Sequence, residues 1–123
     1  MVYKILILVF IHFIADFVCQ TDNQAKNKSH DNNALLAHVF TYTGVSMILW
    51  GFTLVSFSLL QIVVFAAITF MFHILTDFFT SRLNAYLWKK NMIHEFFVSV
   101  GFDQFLHYCQ LFLTFDILNN LNN

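Results

Sequence analysis

The chain has 123 residues, of which 59% are hydrophobic and only 11% charged, with 17 Phe and no Pro. A soluble domain is about 25% charged, so this composition excludes an ordinary globular protein and points to one integral-membrane domain over residues 1–123. The net charge of −1, with no basic patch, argues against a nucleic-acid partner and leaves the lipid bilayer as the expected surroundings.

Hydropathy divides the chain into four spans of about twenty residues, the length that crosses a hydrocarbon core. The first covers about 3–19. Its start, Met1 to Phe10 with Lys4, resembles a signal peptide, but no small-residue cleavage site follows and His12 and Asp16 interrupt the run. It therefore reads as an uncleaved span. A polar loop runs from Gln20 to Asn33, the second span covers about 34–55 and the third about 59–80. From Ser81 to Met92, Arg82, Leu83, Tyr86, Leu87, Trp88 and Lys89 recur at helical spacing. That pattern predicts a short amphipathic helix lying in the interface, anchored by Tyr86 and Trp88. The fourth span covers about 96–118, and Asn119 to Asn123 form a polar tail. The fold class is all-α: a polytopic four-helix transmembrane bundle with a short interfacial helix between spans three and four. Cys19 and Cys109 form no Cys-x-x-Cys pair and read as free, buried thiols.

Lys26, Lys28, Arg82, Lys89 and Lys90 fall in the first and third connections, leaving Lys4 on the other side. The positive-inside rule then puts those connections in the cytoplasm and both termini outside. The expected location is a bacterial inner membrane, with multiple passes.

Histidine and aspartate stand four residues apart in three apolar stretches: His12 with Asp16, His73 with Asp77, and Asp103 with His107. A four-residue step puts both side chains on one helix face. An ionised Asp at the centre of a membrane helix costs about 2.5–3.5 kcal/mol on insertion scales, so three of them need a cation, a proton or one another. The order reverses on the antiparallel fourth span, so each carboxylate faces the cytoplasm with its imidazole about 6 Å deeper. His38 adds a further imidazole at the start of span two. His12-Phe13-Ile14-Ala15-Asp16-Phe17 also matches His73-Ile74-Leu75-Thr76-Asp77-Phe78, a short internal repeat of the kind that relates two halves around a site.

Helix bundles build metal sites from carboxylates and imidazoles projected inward. The candidate ligands are His12, Asp16, His38, His73, Asp77, Asp103 and His107, and a mixed His and Asp set suits a divalent Zn, Mn or Fe ion. One of Asp16, Asp77 and Asp103 would act as general base if the site were a metal-dependent hydrolase. Two other readings stand beside it: a transporter or proton-conducting protein in which Asp titrates and His relays, and a non-catalytic membrane interaction factor with a polar core that fixes packing. Gln20 lines one more turn of the His12 and Asp16 face, or caps the span. Gln104 points about 100° away from Asp103, toward a neighbouring helix or a supporting role. Tyr42 lies one turn below His38 as a hydrogen-bond donor or a packing ring. Arg82, Lys89 and Lys90 could meet an anionic substrate or headgroups, or remain solvated, and His30 with Asp31 read as loop. The chain could also form a homo-oligomer.

His12-x-x-x-Asp16-Phe17-x-x-Gln20, Lys26, Leu36-x-His38 with Tyr42, His73-x-x-x-Asp77 and Asp103-Gln104-x-x-His107 together resemble a family of small bacterial and phage inner-membrane proteins. That family is catalogued as a domain of unknown function. Thr76-Asp77-Phe78-Phe79-Thr80-Ser81-Arg82, Trp88-x-Lys90 and His94-x-Phe96-Phe97-x-x-x-Gly101-Phe102-Asp103-Gln104 resemble its phage-type branch. Many members carry a Lys shortly after the third-span Asp, where this chain has Thr80, Ser81 and Arg82. The resemblance implies a membrane location and a shared polar core, and it supplies no substrate. The architecture is also similar to membrane-bound metal-dependent hydrolases with intramembrane His and Asp.

Overall fold

The computed structural model describes residues 2–121, and the last two residues of the expected polar tail, Asn122 and Asn123, lie outside the described residues. Helix α1, Val2–Phe13, runs without a break into a π-helical turn at Ile14–Val18, closed by Cys19 N–H donating to Ile14 C=O at 2.9 Å. Helix α2, Asp22–Asn27, is a single capped turn and a half inside the loop expected to be irregular. Helices α3 (Asn32–Thr53), α4 (Leu59–Lys89) and α5 (Ile93–Asn120) complete the chain, and no strand occurs among the described residues.

Local chemistry sets the helix starts. Thr21 and Gln24 form a reciprocal capping box at α2, and Ser58 with Gln61 does the same at α4. Asp31, expected to be loop, accepts from Asn33 N–H at 2.8 Å and caps α3. The separate interfacial helix does not form. α4 is continuous for 31 residues, about 46 Å at 1.5 Å per residue. Nothing between Thr80 and Lys89 breaks a helix, so the amphipathic segment extends the apolar rod. The stop comes at Asn91, whose φ of 58° lies in the left-handed region. Asn91 N–H reaches Trp88 C=O and Met92 N–H reaches back to Leu87 C=O, each at 3.0 Å, which is a Schellman ending with Asn in place of Gly.

Around the bundle α1 packs on α3, α3 on α4, α4 on α5 and α5 on α1, so α1 and α4 stand on the diagonal. The two helices that share the His-x-x-x-Asp-Phe motif thus face each other across the centre. One half is filled by Leu8, Ile11, Trp50, Leu54, Phe57, Ile62, Phe65, Leu111, Phe115 and Leu118. The other is filled by the polar residues of the motifs.

Two helices, α3 and α4, are long and apolar enough to cross a membrane. Only 33% and 28% of their most apolar windows are buried, whereas the core helix of a soluble protein is mostly buried. α1 is 12 residues long before its π turn, and α5 carries Asp103, Gln104, His107 and Gln110 among its 28, which lowers its hydropathy. Cys19 and Cys109 are unpaired and only partly buried.

Candidate metal centre

The seven expected ligand residues converge. His12, Asp16, His38, His73, Asp77 and His107 are each at most 4% exposed, and Asp103 is partly exposed at the rim. Two groups of donor atoms form, Asp16 with His38, His73 and Asp77, and Asp77 with Asp103 and His107, each within 4.8 Å throughout.

The first group has the dimensions of a coordination shell. His38 Nε2 and His73 Nε2 face each other at 3.3 Å. His38 Nε2 lies 3.0 Å from Asp16 Oδ1 and 3.3 Å from Asp77 Oδ2. His73 Nε2 lies 3.4 Å from the former oxygen and 3.6 Å from the latter. A tetrahedral ion with bonds of about 2.0–2.1 Å needs donor atoms about 3.3–3.4 Å apart. Asp16 Oδ1, close to both nitrogens, accepts no well-aligned hydrogen bond. Four donors therefore cluster with the spacing of ligands, and Asp16 Oδ1 among them is left without a hydrogen bond.

The surroundings hold these side chains still. His73 is sandwiched between Tyr42 and His107, with ring centroids 4.0 and 4.3 Å away. Tyr42 OH bonds His12 Nδ1 at 2.9 Å, and His12 Nε2 meets Gln104 Oε1 at 3.0 Å. Gln104 donates from Nε2 to Asp103 Oδ2 at 3.0 Å and, more weakly, to Asp16 Oδ2 at 3.4 Å. Its rotation away from the Asp103 face is what lets it reach α1. His12 lies 3.5 Å from Asp16 Oδ2, outside the four-donor group, so it supports Asp16 instead of joining the shell. Asp77 serves both groups, with Oδ2 in the first and Oδ1 3.1 Å from His107 Nε2.

Sequence reasoning missed Lys28 and Thr80. Thr80 OH donates to Asp103 Oδ1 at 2.5 Å, one turn beyond Asp77. Lys28 is no solvated loop charge: its Nζ lies 2.9 Å from Asp77 Oδ2 and 3.3 Å from His38 Nε2. Burial works against this ammonium, but the carboxylates of Asp77, Asp16 and Asp103 outweigh it and hold the group above its ordinary value near 10.5. The capping box gives α2 its shape, and buried Gln24 ties it to α3 by donating to Thr41 Oγ1 at 3.0 Å. That tether turns Lys28 inward. Charge balance was the available signal, because three clustered carboxylates call for a cation.

Other expected contributors lie away from the centre. Arg82 donates to Phe78 C=O and Asn32 Oδ1 and covers the Phe78 ring. His94 is exposed beside Glu95 and Phe102, and His30 is exposed near Ser29. Gln20 is partly buried next to the π turn, and its Oε1 has no hydrogen-bond partner.

A family model described as "Protein of unknown function (DUF3307)" matches residues 5–123. The chain belongs to the DUF3307 family. No curated protein and no solved structure matches it. The match takes in all four helices of this DUF3307 chain that supply the buried His and Asp cluster, together with α2, which carries Lys28 inward.

Proposed function

We propose that the protein is a four-span inner-membrane protein whose buried cluster binds a divalent metal and hydrolyses a lipid-linked or membrane-proximal substrate. The observation that carries this reading is the near-tetrahedral spacing of Asp16 Oδ1, His38 Nε2, His73 Nε2 and Asp77 Oδ2. Charge supports it too. Three carboxylates share the cluster with the single ammonium of Lys28, and a divalent ion would add positive charge among them. Zn, Mn and Fe all accept such a donor set.

When bound, the metal would supply Lewis acidity and lower the pKa of a water. The protein's own groups complete the site. Asp103 is the least buried of the three carboxylates and lies outside the four-donor group, so it is the candidate base for the attacking water. Thr80 and Gln104 fix its two oxygens. Lys28, beside Asp77, would stabilise negative charge developing on a substrate bound there. Water would add to the electrophilic centre, the ester bond would break, and the proton taken from water would pass to the leaving oxygen.

Outward-facing Phe72, Leu75 and Phe79 on α4 and Phe97, Phe102, Phe105 and Leu113 on α5 are exposed and apolar, as a lipid-facing surface requires. With Lys28 turned inward, orientation rests on Lys26, Arg82, Lys89 and Lys90 against Lys4, and the termini still fall outside. The conducting alternative is weaker, because the half packed around Trp50 and Phe65 closes the far end with apolar side chains.

Metal analysis of the detergent-purified protein tests the reading. Wild type should retain a transition metal near stoichiometrically, and His73→Ala or Asp77→Ala should lose it. A folded, metal-free protein that binds none on titration would overturn it.

A further inference from the structure

A groove of about 700 Å³ opens between α2 and the α4–α5 hairpin, and Lys28 forms part of its wall. The same side chain reaches Asp77, so the groove and the metal cluster share one residue. Lys26, Ser29, Ser81 and Asn84 supply its other polar groups, while Trp88 and Phe97 are among its apolar ones. Asn84 Oδ1 is buried there without a hydrogen-bond partner. Lys26 pairs with no carboxylate among the described residues, which leaves its ammonium for a ligand.

We propose that this groove binds the headgroup of an anionic, phosphate-bearing lipid and presents its phosphate ester to the cluster through Lys28. The proposal rests on the hydrolytic reading above and names its substrate class. Two ammonium groups and two hydroxyls suit an anion with several acceptor oxygens. Trp88, Phe96 and Phe97 form a rim of the kind that sits at headgroup depth, beside which acyl chains could remain in the bilayer. The occupant is thus a lipid and not free phosphate, since much of the lining is apolar.

Trp88 is 59% exposed at the groove and Trp50 is 1% exposed in the apolar half, so fluorescence quenching can be assigned to Trp88. The full chain is reconstituted, with chelator present, in phosphatidylcholine vesicles carrying small amounts of brominated phosphatidylglycerol or brominated phosphatidylcholine. The anionic lipid should quench several-fold more effectively, and Lys26→Gln should reduce that preference about fivefold, the worth of one interfacial Lys. Ala85→Leu, which fills the groove from α4, should weaken the preference without changing charge. Equal quenching by the two lipids, or a preference unchanged in both variants, overturns the proposal. So does displacement of the lipid by inorganic phosphate at low millimolar concentration. Quenching is read without metal, so its failure is separate from failure of metal retention.

Discussion

The two halves of the bundle are built by the same four helices and are about equally buried, yet they are held by opposite chemistry. In the apolar half Trp50 stacks on Phe65 with centroids 4.3 Å apart, and Phe57 stacks on Phe115 at 5.4 Å. Burial there is favourable through close van der Waals packing, each buried side chain making many small contacts. In the polar half the same degree of burial is unfavourable for each ion and is offset only by pairing, as between Lys28 and Asp77. The apolar half therefore sets stability, while the polar half holds its charges at a cost to stability.

Breaking that division gives ordered expectations. Trp50→Ala leaves a large cavity and should cost about 3–5 kcal/mol in thermal or denaturant unfolding. Metal bound per folded molecule should not change; a fall would mean that the halves are coupled. Asp77→Asn is the next largest effect, about 2 kcal/mol, below the value for a fully buried pair because the Lys28 side chain is 21% exposed. It removes the nearest carboxylate from the Lys28 ammonium, and metal affinity should drop more than tenfold. Adding Lys28→Met should recover the stability and leave the metal loss, as melts with and without chelator would report. A polar half that served packing alone would instead show no response to chelator in any variant. Tyr42→Phe keeps the ring on His73 and removes only the hydroxyl at His12, so unfolding should shift by about 1 kcal/mol.

Much of this was legible in the chain. The apolar runs marked the four long helices, and three His and Asp pairs at helical spacing marked the residues that meet. Helix geometry left two readings each for Gln104 and Tyr42, and both side chains meet His12. What was hidden depends on contacts between distant segments. Lys28 reaches the centre because Gln24 bonds Thr41, 17 residues away, and no local pattern encodes that tether. The length of α4 is hidden for a different reason. A change from an apolar to an amphipathic pattern looks like a boundary, although the backbone continues wherever no residue interrupts it.

That continuity has a mechanical consequence. α4 is a single rod about 46 Å long, against a hydrocarbon thickness of about 30 Å. His73 and Asp77 lie along it and Ser81, Asn84 and Trp88 lie further on, so these two side chains and the groove move together when the rod tilts. Their counterpart Asp16 belongs to α1, across the diagonal. In a bilayer, thinning or thickening changes helix tilt, which would open or close the distance between Asp16 and the α4 pair His73 and Asp77. The spacing of the four donors would then depend on the lipid composition around the protein as well as on its own side chains.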